Sequence, residues 1–227
     1  MKYGILLSGG KDSVYAAYLA SKDNEISCAI TIKSLNKESY MFHTPNIDLV
    51  KYQTESMEIP LIVAETQGVK EEELTDLKEA IAEAKEKYQL DGIVTGAVAS
   101  VYQAERIQKI CDELGLKCFN PLWQINQIQL LQELLENKFE VLIGGVFAYP
   151  FDETLLGKFI DEDIIAMLKD MQEKYKINPA GEGGEIETFV TDSPLFKKKI
   201  KILEANTDFE KHAGTYNITK VELVDKN

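Results

Sequence analysis

The residues best suited to chemistry lie near the start of the chain, in the run Ser8-Gly9-Gly10-Lys11-Asp12-Ser13. An apolar run at 3–7 precedes it and an amphipathic run at 14–20 follows it, which predicts a strand, a tight loop and a helix. The glycines let several backbone N–H groups point to one spot, and the helix N-terminus adds partial positive charge there. The lysine adds a full charge and the two serines add hydroxyl donors. We call residues 8–13 the anion loop and expect it to bind phosphate.

Asp12 is an acidic residue inside this otherwise anion-binding string. A phosphate would repel its carboxylate unless a cation lay between them, so Asp12 is a candidate ligand for Mg²⁺. The Walker pattern G-x-x-x-x-G-K-[ST] does not fit, because an aspartate follows Lys11 and the position of the first glycine is Ile5. The alternative interpretation is a glycine turn followed by an Asp/Ser helix cap.

A second candidate region begins at Gly96, where the predicted strand 92–95 turns through small residues into a helix. Small residues allow a ligand to approach the backbone closely at the carboxyl edge of a sheet. The helix carries Tyr102, Gln103 and Arg106, and the last is the only arginine of the chain. Its planar guanidinium can pair bidentately with a phosphate or a carboxylate. A solvated helix face is the alternative.

A third region, residues 178–189, contains the string Gly181-Glu182-Gly183-Gly184-Glu185-Ile186-Glu187-Thr188-Phe189. Three glycines and three carboxylates can place backbone donors near a substrate while the acids bind a cation or an ammonium group. Composition alone would equally fit a flexible surface turn. We call residues 178–185 the glycine–glutamate loop.

The hydrophobic pattern predicts the elements that must position these residues. Short apolar runs alternate with helical periodicity up to residue 120, which predicts a doubly wound parallel α/β domain over residues 1–120. After Pro121 the pattern changes to helices followed by alternating runs, which predicts a smaller α+β substrate domain over 121–227 with an antiparallel hairpin near its end. The predicted strands are 2–7, 26–32, 60–64, 92–95, 117–119 and 139–146, and the predicted helices are 12–21, 47–57, 70–88, 100–114, 124–136 and 161–175.

Composition narrows the class of protein. The formal net charge is −13, which counts against nucleic acid as a partner. The longest apolar stretch, 141–151, is about half a membrane span, so we expect no membrane association and a cytoplasmic location. Two histidines are too few for a His-rich metal site. The sequence leaves a homo-oligomer open.

The anion loop resembles the PP-loop of the N-type ATP pyrophosphatases, which use ATP to adenylate a substrate oxygen, expel pyrophosphate and let a nucleophile displace AMP. Three motifs in order, S-G-G-K-D-S, G-A-V-x-S-x-Y-Q-x-x-R and N-P-x-G-E-G-G-E-x-E-T-F, resemble one branch of that superfamily, the diphthine–ammonia ligases. These adenylate the carboxylate of diphthine, a modified histidine of translation elongation factor 2 that carries a trimethylammonium group, and couple it to ammonia to give diphthamide. ATP, Mg²⁺, ammonium and the elongation factor are therefore the expected cofactors and partners.

The resemblance also implies roles for individual residues. The anion loop would hold pyrophosphate, with Lys11, Asp12 and Arg106 as catalytic residues and Asp12 on magnesium, while Gly96 and His43 would contact the nucleotide. The residues expected on the substrate side are Tyr102, Gln103, Glu182, Gly184, Glu185 and Thr188.

Two other functions stay open. One is an ATP pyrophosphatase that acts on a different small carboxylate, and the other is a non-catalytic ATP sensor. The chain lacks the cysteine and histidine pattern of a glutaminase, which favours free ammonia over glutamine as the nitrogen source.

Overall fold

The computed structural model describes residues 1–36, 45–69, 71 and 73–226, and the structural statements below concern these residues. Its first half is built on a parallel sheet in the order β3-β2-β1-β4-β5. The strands are β1 Lys2–Leu6, β2 Glu25–Ser34, β3 Leu61–Thr66, β4 Gly92–Val94 and β5 Lys117–Phe119, and the helices are α1 Lys11–Ser21, α2 Val50–Met57, α3 Glu73–Tyr88 and α4 Val101–Leu114. A 3₁₀ turn, Ile47–Leu49, leads into α2.

The sheet is covered on both faces, because its strands are apolar on both sides. One face, which includes Cys28 and Ile93, packs against the apolar stripes of α3 and α4. The opposite face, which includes Ile5, packs against α1. The predicted doubly wound α/β architecture is confirmed. The order of the strands reverses between β1 and β4, and a crevice at such a switch point is where open α/β sheets bind ligands.

The second half forms an antiparallel sheet in the order β7-β6-β9-β8. Its strands are β6 Glu140–Val146, β7 Ile186–Asp192, β8 Lys198–Glu210 and β9 Ala213–Asp225, and its helices are α5 Gln127–Glu136 and α6 Glu162–Tyr175. The predicted α+β character and the terminal hairpin of this half are confirmed.

The sequence-based interpretation of residues 186–189 as part of a loop was wrong, because they begin strand β7. The three glycines and the acids before Ile186 concealed a run in which Ile186, Thr188 and Val190 alternate with other residues. Pairing with β6, for example between Ile143 and Thr188, makes this run a strand. The glycine–glutamate loop therefore ends where an ordered strand begins.

One hydrophobic core joins the two halves of the molecule. Val14 and Tyr15 of α1 belong to the same buried cluster as Leu131, Phe139 and Phe189. A polar seam runs along the free edge of β7, where the Val190 N–H donates to the Gly9 carbonyl at 3.0 Å. The domain boundary near residue 120 stays a prediction, since the two halves share this core.

Within the part of the chain that the structure describes, no helix is long and apolar enough to cross a membrane.

Candidate active site

The anion loop lies at the carboxyl end of β1, beside the switch point of the sheet. Gly9 has φ +85°, a left-handed conformation that glycine adopts without strain. A Cβ at this position would lie 3.0 Å from Val50 and 3.1 Å from the Gln53 Oε1 atom. Gly10 follows in an extended conformation as the N-cap of α1. The chain thus enters the helix with the first-turn N–H groups near the crevice, as an anion site requires.

The two serine hydroxyls of the anion loop hold its shape. Their Oγ atoms lie 3.2 Å apart, and the Ser13 hydroxyl donates to the Gly10 carbonyl at 3.0 Å. The Ser8 N–H also points at the Ser13 Oγ atom, at 3.3 Å. Both hydroxyls are therefore engaged in contacts within the loop, and their contact with phosphate stays a prediction.

Lys11 is buried, with 3% of its surface exposed, and reaches toward the second half of the chain. Its ammonium donates to the Ala180 carbonyl at 2.5 Å and to the Asp12 Oδ2 atom at 2.8 Å. Burial opposes the charge, but the Asp12 carboxylate outweighs it and holds the pKa of Lys11 above its usual value. The lysine is thus a fixed positive charge between the anion loop and the glycine–glutamate loop. Its contact with pyrophosphate stays a prediction.

Asp12 has the chemistry that a magnesium ligand needs. Its Oδ2 atom accepts from Lys11, whereas its Oδ1 atom is buried and has no hydrogen-bond partner among the described residues. An unpaired buried carboxylate oxygen is costly unless a ligand satisfies it. The described residues contain no group of three His, Cys, Asp or Glu side chains spaced to hold a metal ion. One carboxylate fits Mg²⁺ nonetheless, because this ion is commonly bound by one or two carboxylates together with substrate phosphates and water.

The glycine–glutamate loop is held by its own polar side chains. Both the Asn178 N–H and its side-chain amide donate to Glu185 Oε1, at 3.0 and 2.8 Å, and the Gly183 N–H donates to Glu185 Oε2 at 2.8 Å. Burial raises the pKa of Glu185, but these hydrogen bonds outweigh it and lower the pKa below its usual value. Gln127 fixes the loop from α5, since its Oε1 atom accepts from the Ala180 N–H at 3.0 Å.

Two further carboxylates of this region lie in the electrostatic field of Lys11 and Asp12. Burial, followed by repulsion from Asp12, raises the pKa of Glu182 to about 7. Burial also raises the pKa of Glu187 to about 7, with repulsion from Asp12 and Glu182 adding to it and Lys11 opposing it. Asp12, Glu182 and Glu187 therefore interact electrostatically with one another, and their mutual repulsion opposes the ionisation of the two glutamates.

The turn after β4 closes the other side of the site. A Cβ on Gly96 would lie 2.7 Å from the Asp12 carbonyl carbon and 2.8 Å from the Ser13 nitrogen, so only glycine fits against the first turn of α1. Three residues later the Ala99 N–H donates to Glu182 Oε2 at 3.2 Å. The predicted close approach at Gly96 is thus an approach of the anion loop itself, and its contact with the nucleotide stays a prediction.

Arg106 lies further along α4, and its polar contacts within the described ranges are with Glu71 and Tyr102. Its guanidinium donates to Glu71 Oε1 through Nε at 3.0 Å and through Nη2 at 2.6 Å. The guanidinium also stacks on the Tyr102 ring at 3.5 Å, and the Tyr102 hydroxyl donates to the same Glu71 oxygen at 2.8 Å. The structure thus shows these two residues in an ion-pair cluster. Their predicted catalytic and substrate roles stay predictions.

The remaining predicted residues divide into three groups. Thr188 is buried against the anion loop, because its Oγ1 atom accepts from the Lys11 N–H at 3.1 Å. Gly184 is exposed with φ +80°. The backbone N–H of Gln103 donates at 3.3 Å to Oγ of Ser100, the residue that caps α4. His43 lies outside the described residues.

Two family models match the chain in succession. The diphthamide synthase N-terminal domain matches residues 1–118 and the diphthamide synthase C-terminal domain matches residues 126–224. Curated vertebrate proteins named diphthine–ammonia ligase match over most of their length. The rat protein is 33% identical over 89% of this chain and 83% of its own. The human protein is 34% identical over 88% of this chain and 82% of its own.

The chain belongs to the diphthamide synthase family.

Among solved structures, a predicted tRNA methyltransferase subunit from Methanocaldococcus jannaschii aligns with a TM-score of 0.44 at 15% identity, covering 86% of this chain and 98% of that protein. The family assignment depends on the sequence comparisons and not on this likeness.

One residue that joins the anion loop to the second half of the chain could not be predicted from the sequence. Gln53 of α2 is fully buried, and its amide donates to the Gly9 carbonyl at 2.9 Å and to the Val190 carbonyl at 2.8 Å. A single glutamine in an amphipathic helix gives no signal by type or spacing. Its only sequence clue is its place at a helical position that faces the core.

Proposed function

We propose that the protein is an ATP-dependent ligase that adenylates the carboxylate of diphthine on translation elongation factor 2 and couples it to ammonia. The products are diphthamide, AMP and pyrophosphate. Membership of a family whose curated members are named diphthine–ammonia ligase supports the reaction. The observation that carries the proposal is the Lys11 bridge, because one residue ties the anion loop to the glycine–glutamate loop.

The first step forms a bond between a carboxylate oxygen of diphthine and the α-phosphorus of ATP while the bond to pyrophosphate breaks. The anion loop binds the leaving pyrophosphate through backbone N–H groups, the Ser8 and Ser13 hydroxyls and the positive end of α1. Asp12 would hold Mg²⁺ through its unpaired Oδ1 atom. That ion supplies charge neutralisation of the phosphates when bound.

In the second step the nitrogen of ammonia attacks the acyl carbon, and AMP leaves with the former carboxylate oxygen. The attacking ammonia must lose a proton, and a carboxylate whose pKa lies near 7 can accept it at physiological pH. Glu182 and Glu187 both meet that condition. No covalent enzyme intermediate is needed, since holding the two reactants together supplies the proximity.

The test combines the purified protein with ATP, Mg²⁺, ammonium and elongation factor 2 bearing diphthine. AMP and pyrophosphate are measured together with the mass of the factor. The expected result is equal amounts of AMP and pyrophosphate and the mass change of a carboxylate becoming an amide. AMP release with another carboxylate only would reject the assigned substrate, and ATP binding without cleavage would favour a sensor.

A further inference from the structure

Phe147 presents an exposed aromatic ring beside the site that the proposed mechanism does not use. The residue directly follows β6, and its N–H donates to the Glu185 carbonyl at 2.9 Å. Its ring folds back over Gly145, where a Cβ would lie 2.7 Å from the ring. The ring is nevertheless 39% exposed. The glycine therefore leaves the space that the tip of the ring occupies, and part of the residue remains accessible to solvent.

The ring lies next to one of the site's carboxylates. Gly145 pairs with Glu187 across the β6–β7 ladder, so their Cβ positions are on the same face of the sheet. The Glu187 Cβ is 3.3 Å from the position that a Gly145 Cβ would take. Because Phe147 is bonded to the glycine–glutamate loop through the Glu185 carbonyl and lies beside Glu187 on the sheet, it stands at the margin of the candidate active site.

Charge and shape together indicate what this margin binds. Asp12 contacts the Lys11 ammonium, and Glu182 and Glu187 interact electrostatically with both, so the excess of acidic groups favours a cation. The face of an aromatic ring attracts cations too, and it suits best those whose charge is spread over methyl groups. A primary ammonium is compact and strongly hydrated, so it gains less from an apolar ring.

We infer that Phe147 is the specificity-determining contact for a quaternary ammonium group of the substrate, with Glu187 as its neighbouring countercharge. The inference rests on the proposed function, since it assigns the recognised group to the protein substrate of that reaction. Phe147 selects the methylated cation and Glu187 supplies charge, while the anion loop acts on the phosphates of ATP.

The experiment compares the wild type with Phe147→Leu, Phe147→Tyr and Gly145→Ala in two assays. The first measures kcat and KM with elongation factor 2 bearing the trimethylated side chain and with a factor bearing its unmethylated amine. The second assay uses saturation-transfer NMR to compare the binding of choline with that of a neutral analogue, the alcohol in which a carbon atom replaces the quaternary nitrogen of choline. Phe159→Leu is the matched control, because Phe159 is similarly exposed, at 43%, and is paired with Leu142 rather than located in the site.

The expected result is a rise of roughly 3- to 30-fold in KM for the trimethylated factor in Phe147→Leu, with KM for ATP unchanged. The unmethylated factor shows a smaller rise, and Phe147→Tyr restores the preference. Gly145→Ala, which displaces the ring without removing it, gives the same loss as Phe147→Leu. Phe159→Leu behaves as the wild type does.

The outcomes separate this inference from the ligase assignment. If the wild type forms amide but Phe147→Leu keeps its preference for the trimethylated factor, the inference is overturned and the ligase function stands. If the wild type forms no amide, the ligase function fails and the choline assay decides the inference alone. In that assay, the inference is overturned if the wild type binds choline and the neutral alcohol equally. It is supported if the wild type prefers choline and Phe147→Leu loses that preference.

Discussion

Asp12 is held by only one of its two carboxylate oxygens. Lys11 satisfies Oδ2, while the buried Oδ1 atom has no hydrogen-bond partner in the part of the chain that the structure describes. No described contact depends on this oxygen. A neutral residue at the start of α1 would avoid the free-energy cost of burying it. Its retention is explained if it faces a cation beside the phosphates during the reaction.

Replacement of Asp12 by alanine is therefore expected to lower AMP formation by at least about 100-fold, a loss typical of removing one electrostatic contact to a reacting group. Far-UV circular dichroism should be unchanged. The control is Asp23→Ala, which removes an exposed carboxylate from the turn after the same helix. Turnover near the wild-type level in Asp12→Ala would remove the magnesium role from this residue.

Glu182 and Glu187 should make the stability of the protein depend on pH. The pKa of each is raised to about 7 in the folded state, from the usual 4.5. The folded protein thus binds protons that the unfolded chain has already released, so the free energy of unfolding falls as pH rises from about 4.5 to about 7. Above pH 7 the contribution is lost.

Urea unfolding at pH 5 and pH 8 tests this dependence. The variant Glu182→Gln with Glu187→Gln cannot ionise at these positions, so we expect it to gain stability relative to the wild type at pH 8 and to differ little at pH 5. The comparison variant is Glu210→Gln, whose carboxylate is exposed near the tip of the terminal hairpin. An equal difference between variant and wild type at both pH values would contradict the assignment.

At the scale of elements, the anion loop and strand β7 form one unit. The free edge of β7 would otherwise expose unpaired backbone groups. Gly9 and Gln53 occupy it, because the Val190 N–H donates to the Gly9 carbonyl and the Gln53 amide donates to the Val190 carbonyl. The strand that carries Glu187 and Thr188 is thereby fixed to the anion loop.

Replacing Gln53 by leucine should weaken the contact between the anion loop and strand β7. Two buried carbonyls lose a donor, which costs about 1–3 kcal/mol of stability. Because the substrate strand is then less well positioned against the anion loop, kcat should fall more than the KM for ATP rises. Urea unfolding and steady-state kinetics measure the two effects, with Gln129→Leu at an exposed position of α5 as the control. A stability loss with unchanged kcat would mean that Gln53 is only structural.

Some elements of this fold could be predicted from the sequence and others could not. The parallel sheet, its helices and the anion loop could be predicted because periodicity and a local string specify them. Strand β7 could not, because its acids and the preceding glycines resemble a turn and its partner β6 is about 40 residues away in the chain. The Gln53 contact and the position of Phe147 could not be predicted either, since both depend on which residues meet only after the chain has folded.

At the scale of the whole molecule, contacts of helix α1 join the two halves of the chain. The Tyr15 hydroxyl donates to Glu133 at 2.7 Å, and its ring packs edge-on against Phe139 with centroids 5.4 Å apart. Tyr18 makes a second link, from its hydroxyl to the Asn137 side chain at 3.0 Å. Helix α1, which begins in the anion loop, thus packs its apolar face against the second half.

This packing predicts a single unfolding transition for the whole chain. Far-UV circular dichroism and the fluorescence of Trp123, the only tryptophan, should change at the same urea concentration. A fragment of residues 1–120 should unfold without a cooperative transition and bind a hydrophobic dye, because the face of α1 around Tyr15 and Ala16 would lie in water. A cooperative transition in that fragment would show instead that the nucleotide half folds alone. In that case the shared core would help to position the active site but would not be needed to form the anion loop. Measuring ATP binding to the fragment itself would then separate the effect of Asp12→Ala from that of Gln53→Leu.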